Sequence, residues 1–410
     1  MTGETWAPVP DGSPFGLAIL PYGSFSPAGG GRRAGVRIGD HVIDLAGLAG
    51  DGLLGGFPAA HAAFASPALD VFMAAGPEAW RATRERLAVV LADPGARAAA
   101  EPHLHALAGV ELHLPFAVAD FADFYASLEH ATNLGRLFRP GSEPLLPNWR
   151  HLPAGYHGRA GTVVVSGTDV VRPCGQFLAD GEDSPRFGPS RRLDIELELG
   201  FVIGTPSRLG DAVPVERALE HVFGVVMLND WSARDLQAWE YQPLGPFLGK
   251  SFATSIGAWV TPLAALEALG VVAPAQAPEP LPYLREAPWA FDLDFEVELN
   301  GVVVSRPSAR HLYWSPAQMI AHLTANGASL RTGDLLGSGT ISGPEREQRG
   351  SLIELSWNGA EPIALGGGET RTFLQDGDTV VLRGSRLAEV AGRILPAVAR
   401  AANRAGGGEV

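Results

Sequence analysis

Residues 193–200 read "LDIELELG". Asp194, Glu196 and Glu198 fall at every second position, and Leu193, Ile195, Leu197 and Leu199 stand between them. This is strand alternation, with acids on one face of a sheet and aliphatics on the other. The acidic face either meets water or holds something. A second copy, "FDLDFEVELNG" at 291–301, sets Asp292, Asp294, Glu296 and Glu298 opposite Phe291, Leu293, Phe295, Val297 and Leu299. That copy leads into an Asn-Gly hairpin turn and is read as a solvated face. Alternation alone does not separate the two cases.

The text around both copies is rich in strands. "TVVVSG" (162–167), "FGVVMLND" (223–230), "DLLGSGTISGPE" (334–345), "SLIELSW" (351–357) and "TVVLRG" (379–384) all read so, and "GVRIGDHVIDL" (35–45) reads as a hairpin about a Gly-Asp turn. Helical spacing is expected in "PEAWRATRERLAVVLAD" (77–93), over 123–135, in "SARDLQAWE" (232–240) and in "SPAQMIAHLTANG" (315–327). The 51 glycines and 33 prolines are spread along the chain, which suits short strands and turns rather than a helical bundle. The tail "ANRAGGGEV" (402–410) is expected to fray.

At 410 residues the chain is too long for one ordinary core, so two domains, or one large one with an appendage, are expected. A net charge of −14 argues against nucleic acid as partner. No apolar run is long enough to span a bilayer, so no membrane is expected. The start, "MTGETWAPVPDGSPFG", has no basic segment followed by an apolar one, so no signal peptide is expected. Cys174 is the single cysteine, which fits a reducing cytoplasm.

Asp123, Glu196, Glu198 and Asp230 each sit in an apolar or aromatic run, where a charge is costly unless paired or metal-bound. Acids at strand ends and on an inward face, with no nearby His or Cys cluster, suit a hard cation, Ca²⁺ or Mg²⁺, rather than Zn²⁺. The alternative is helix capping, by Asp230 near Ser232 and by Asp123 near Tyr125. If 123–135 is helical, His130 projects from the same face as Asp123, as a base beside a bound substrate would; a structural histidine is the plainer reading. Arg234 and Gln237 share a helix face, which can equally be a solvated one. Lys250 in "PFLGKSF" lacks the spacing of a phosphate-binding loop.

The segments "DFYASLEHATNLG" (123–135), "PNWRHLPAGYHGRAGTVVVSGT" (147–168), "LDIELE" (193–198), "NDWSARDLQAWEYQPLGPFLGKSF" (229–252), "GDLLGSGTISGPE" (333–345) and "LIELSW" (352–357) closely resemble, in order, the fumarylacetoacetase family. These hydrolases split fumarylacetoacetate into fumarate and acetoacetate in tyrosine and phenylalanine catabolism. The resemblance implies a mainly β fold with some α: an N-terminal SH3-like β-barrel domain with a helical connection (1–116) and a catalytic mixed β-sandwich roll (117–410). It also implies a cytoplasmic homodimer acting on a small diketo-diacid. By the same resemblance Asp123, Glu196, Glu198 and Asp230 match ligands of Ca²⁺ and/or Mg²⁺, and Lys250 and Thr254 match positions around that centre. His130 matches the general base and Glu354 the carboxylate that orients it. Arg234, Gln237 and Lys250 match donors to developing negative charge. Tyr125, Arg139, Tyr156, Gln237, Tyr241 and Thr340 match substrate contacts. Asp194 matches no ligand position and is given a structural or solvent role. His157 and Arg159 have no role that can be derived. The rival readings are another reaction on the same scaffold, such as acylpyruvate hydrolysis, and a non-catalytic Ca²⁺-stabilised binding protein.

Overall fold

The acidic stretch folds as two strand pieces, Leu193–Asp194 and Leu197–Ile203, with Ile195 and Glu196 between them. In the computed structural model, which describes residues 4–55, 60–179, 181–286 and 289–398, all of 193–203 is buried. The tail at 402–410 lies outside the described residues.

Leu197–Ile203 pairs antiparallel with Val222–Asp230 on one side and with Leu335–Gly337 on the other. Phe121–Phe124 then lies parallel to Leu335–Gly337, and Gly155–His157 closes that edge. These strands belong to a 13-stranded sheet that runs into the N-terminal segment. A five-stranded sheet, ordered Val302–Ser305, Phe295–Leu299, Thr379–Gly384, Leu387–Leu395 and Val170–Val171, covers one face of it. Leu197, Leu199, Phe201, Val225 and Met227 pack there against Phe295, Val297, Leu382 and Val390.

The opposite face does two jobs. Phe121, Val202, Val226, Leu228 and Leu335 point into the N-terminal core, against Tyr22, Phe72 and the helix Pro77–Ala92. One or two alternations along, the same face carries Asp123, Glu198, Asp230 and Gly337. The strand period thus takes a single sheet face from a dry core to a cluster of acids.

The N-terminal strands run in the order Leu104–Ala106, His41–Asp44, Arg33–Ile38 and Tyr22–Pro27. Tyr22 and Gly23 pair with Val260 and Trp259 of the large sheet, which leaves Ser24–Pro27 to pair with Val110–His113. Among the described residues no pairing joins Leu104–Ala106 to Val110–His113, so the sheet is open. The closure expected of a small SH3-like barrel is not seen among the described residues, and part of its first strand, Tyr22 and Gly23, pairs with the large sheet.

Two local readings need correction. Residues 121–124 are strand, and the helix begins only at Leu128, with the Ser127 hydroxyl accepting the N–H of His130. Asp123 and His130 therefore come from different elements, not one helix face. "SLIELSW" is not a strand: Leu352–Leu355 is a short helix. The acidic alternation at 291–299 is the solvated face expected. Asp292 and Asp294 are exposed, and Asp292, Glu296 and Glu298 pair with Arg310, Arg306 and Arg383. Its hairpin turns through Asn300 and Gly301, both at positive φ.

Candidate active site

Register brings the acids together. Asp123 lies opposite Gly337 and Tyr156, Glu198 opposite Leu228, and Asp230 opposite Thr254. Asp123, Glu196, Glu198 and Asp230 are all buried, with one carboxylate oxygen of each within 4.8 Å of the others. Neither Asp123 nor Asp230 caps a helix. Ser127 is the N-cap before Leu128, and Ala233 is the N-cap of the helix Arg234–Glu240.

Polar neighbours hold part of this charge. Thr254 donates its hydroxyl to Asp230 Oδ1 at 2.8 Å, and Tyr156 donates to Asp230 Oδ2 at 3.2 Å. Lys250 Nζ lies 2.8 Å from Asp230 Oδ2 and in closer contact with Glu196 Oε2. Arg234 Nη1 lies 2.7 Å from Glu196 Oε1. The loop carrying Lys250 is fixed by Glu240, whose Oε1 accepts the N–H groups of Phe247 and Gly249.

The electrostatics divide the four acids. Burial resists ionisation of Glu196, but Lys250 and then Arg234 outweigh it and hold this carboxyl below its usual range. Burial, followed by the charge of Asp230, pushes Asp123 up to about 8. Burial also lifts Glu198 well above the ordinary range, with Asp123 and Glu196 adding to the effect. Burial raises Asp230 too, against the pull of Lys250. Among the described residues, Asp123 Oδ1 and Glu198 Oε1 are buried without a hydrogen-bond partner. Orphaned, all-oxygen ligand atoms of this kind fit a hard metal ion, which the four carboxylates could hold.

Beside the acids, His130 Nδ1 is 2.7 Å from Glu354 Oε2, and both residues are buried. Glu354 is held on both oxygens. Asn133 donates to Oε1 at 2.9 Å, and Ser342 and Ser351 donate to Oε2 at 2.9 and 2.7 Å. Burial opposes its charge, yet His130 and these donors pull its carboxyl down to about 2. The other imidazole nitrogen, Nε2, lies 3.9 Å from Glu196 Oε1, so it is directed toward the carboxylate cluster. The Tyr125 ring meets the imidazole edge-on, with centroids 5.3 Å apart.

Both groups stand at a cavity of about 400 Å³. Asp123, Glu196, His130, Arg234 and Lys250 line it, with Tyr125, Arg139, Tyr156, Gln237, Tyr241 and Thr340 around them. Glu198, Asp230, Thr254 and Glu354 stand behind that lining: Glu198 reaches it by accepting the Gly339 N–H at 3.0 Å, Asp230 through Lys250 and Tyr156, Thr254 through Asp230, and Glu354 through His130. Arg139 Nε, Arg234 Nη2 and Thr340 Oγ1 are buried without a hydrogen-bond partner among the described residues, and these three residues line the cavity. Asn133, Ser342, Ser351 and Glu240 escaped the sequence reading, and Asp194 is fully buried, not solvated. Two signals were present. Asn133 follows His130 at helical spacing. Ser351 and Glu354 form the Ser-x-x-Glu pattern of a helix start, which would have corrected the strand reading of "SLIELSW".

A histidine–carboxylate pair directed at acids that could hold a metal ion is an arrangement able to activate water, as hydrolases do. Comparison with known proteins narrows the class. Residues 120–395 match the family described as fumarylacetoacetate (FAA) hydrolase C-terminal, and residues 18–115 match fumarylacetoacetase N-terminal. The chain is 44% identical over 416 residues to the fumarylacetoacetase of Homo sapiens, covering 96% of this chain and 99% of that one. It is also 44% identical over 395 residues to the Arabidopsis thaliana fumarylacetoacetase, covering 93% and 94%. The fold is similar to fumarylacetoacetate hydrolase from psychrophilic Exiguobacterium antarcticum, with a TM-score of 0.56 and 18% identity over 92% of this chain and 99% of that one. The chain belongs to the fumarylacetoacetase family.

Two outcomes are expected of the carboxylate cluster. A Cβ at Gly337 would stand 2.8 Å from Glu198 Oε2 and 2.9 Å from Asp123 Oδ1. Gly337→Ala should therefore weaken Ca²⁺ or Mg²⁺ binding by roughly 10–100-fold, as second-layer changes do, while far-UV circular dichroism stays unchanged. Isothermal titration with each cation measures this, and wild-type affinity would contradict it. The second outcome concerns pH. Asp123 is raised to about 8 and so holds a proton near neutrality, and burial shifts Glu198 in the same direction, whereas a bound cation favours the charged forms. Cation binding should release protons, and its affinity should rise with pH up to about 8. A binding enthalpy independent of the buffer's ionisation enthalpy would contradict this.

Proposed function

We propose that this chain hydrolyses fumarylacetoacetate to fumarate and acetoacetate, with His130 as general base. The observation that carries the reading is the 2.7 Å contact from His130 Nδ1 to a fully buried Glu354, with Nε2 turned toward the carboxylate cluster. Near-full-length likeness to fumarylacetoacetases supports the choice of substrate.

Glu354 fixes the imidazole with its proton on Nδ1, which leaves Nε2 as the acceptor for a proton from water. The water oxygen then bonds to the carbonyl carbon at the fumaryl end. The resulting oxyanion needs donors, and Arg234 Nη2 offers a free N–H. Gln237 accepts from Arg234 through Oε1 at 3.1 Å, so its amide N–H groups are available to the cavity, and Lys250 adds positive charge. As the tetrahedral centre collapses, the carbon–carbon bond breaks. Its electron pair leaves with the acetoacetate fragment, which takes up the proton that His130 removed. A Ca²⁺ or Mg²⁺ ion held by Asp123, Glu196, Glu198 and Asp230, with Lys250 and Thr254 around it, would polarise the diketone oxygens and offset charge on the leaving fragment. Arg139, with an unpaired Nε, is suited to a terminal carboxylate of the substrate. Tyr125, Tyr156, Tyr241 and Thr340 shape the walls that orient the chain between the two carboxylates.

We read residues 1–116 as a distinct N-terminal unit before a catalytic unit of 117–410; family matches that break between 115 and 120 support this division. We also read the chain as a cytoplasmic homodimer. The free Cys174 suits a reducing compartment. Leu244, 95% exposed, and Phe247, 71% exposed, are apolar surface that a second copy would cover.

The deciding experiment follows loss of fumarylacetoacetate absorbance with bound metal measured in the same sample. Cation-loaded wild type should turn over. His130→Ala should lower kcat by roughly 10²–10⁴-fold while keeping its fold and its metal. No turnover by loaded wild type would remove the reading, and near-wild-type kcat in the variant would remove the role of His130.

A further inference from the structure

Asp194 shares the strand alternation of Glu196 and Glu198 but is tied elsewhere. Its side chain is fully buried, and each oxygen accepts two donors. Oδ1 takes the N–H of Ile195 and of Leu352, both at 2.7 Å. Oδ2 takes the N–H of Ile353 at 3.0 Å and Nε of Arg234 at 2.7 Å. These contacts reach both sides of the active site.

On one side, Leu352 and Ile353 open the short helix that bears Glu354. Ser351 makes no side-chain capping bond there, because its hydroxyl is turned to Glu354. The orphan N–H groups at the start of this helix are met by Asp194, a carboxylate far away in sequence. On the other side, the contact at Nε fixes the roll of the Arg234 guanidinium. With Nε on Asp194 and Nη1 on Glu196 and Gln237, the free Nη2 belongs to a residue that lines the cavity.

We propose that Asp194 is a positioning residue that sets the oxyanion donor Arg234 and the base-orienting Glu354 in one frame; this rests on the hydrolytic reading above. One rigid carboxylate links the electrophilic side of the site to its proton-transfer side. Without it, Arg234 keeps Glu196 as its anchor and is free to roll, while the helix carrying Glu354 loses the acceptor for its first N–H groups. Asparagine cannot substitute. Both oxygens accept from two N–H groups, so an amide nitrogen at either place would face donors.

The test begins with cation-loaded wild type, whose failure to turn over fumarylacetoacetate would count against the hydrolytic reading itself. Given wild-type turnover, Asp194→Asn is compared with Arg234→Gln, Glu354→Gln and the corresponding double variants. Asp194→Asn should lower kcat by roughly 10²-fold, the scale of losing an oxyanion donor. KM should stay within about threefold of wild type, as expected when a transition-state contact is lost. Bound metal per chain should not change. The kcat losses in the double variants should fall short of the product of the single losses, because Asp194 acts through the other two residues. A kcat within about threefold of wild type, or losses that multiply in full, would overturn the proposal. If Asp194→Asn does not fold, the same measurements are made on Asp194→Glu. Failure of both variants to fold would also overturn it, leaving Asp194 as a purely structural ion pair.

Discussion

Four carboxylates held within 4.8 Å of one another and away from water are the constraint to which the rest of the molecule answers. Two like charges about 4 Å apart repel by about 4 kcal/mol even at an effective dielectric of about 20. Repulsion of that size, repeated over the cluster, would unfold an ordinary domain. The structure opposes it with Lys250 and Arg234, which bring Glu196 into its charged form. Hydroxyls from Thr254 and Tyr156 serve Asp230, and the Gly339 N–H serves Glu198. What these groups leave uncompensated is met by protons on Asp123 and Glu198 or by a cation. The same need explains the burial of Arg234, one of the largest side chains in the core. Its guanidinium must counter Glu196 and Asp194 together.

Sheet geometry makes this affordable. Asp123, Glu198 and Asp230 sit on strands that pair with one another, and Glu196, in the break between Asp194 and Leu197, is tied to the same sheet by its carbonyl, which accepts the Asp230 N–H, and by its N–H, which donates to Asn229 Oδ1. The histidine–carboxylate pair is supplied by two helices laid over that sheet. A rigid sheet floor and a helical base side, tied together through Asp194, meet at a single cavity.

Much of this was legible in the strings of residues. The alternation at 193–199 gave the strand and its acidic face, and Asn300-Gly301 marked the copy at 291–301 as a hairpin in water. Resemblance, rather than spacing, selected Glu196 and Glu198 over Asp292 and Asp294. The local patterns are alike, and the difference lies in what packs on top: Asp292 stays exposed beside Arg310, while Glu198 is fully buried. Two readings failed for a common reason. The segment "SLIELSW" looked like strand because its short apolar run, Leu352, Ile353 and Leu355, is core whatever the backbone does. The helical reading of 123–135 ran through Asp123 because strand and helix join there with little punctuation. In both places a distant partner decides the local structure: Asp194 at the start of one helix, and the parallel pairing with Leu335–Gly337 at the strand before the other. The open N-terminal sheet belongs here too, since nothing in 22–27 announces that Tyr22 and Gly23 pair with residues far along the chain.

The face shared by Phe121 and Asp123, by Val202 and Glu198, and by Leu228 and Asp230 ties the N-terminal segment to the chemistry without any residue of that segment entering the cavity. Its apolar half is roofed by Tyr22, Phe72 and Leu87. Removing that roof would wet the strands on which the acids are mounted, and a wetted strand end no longer holds carboxylates against their own repulsion. Substitutions in the roof and substitutions in the carboxylate cluster would therefore present alike, as a protein whose buried acids no longer sit together. For this architecture, a variant's distance from the active site is a poor guide to whether it is harmless.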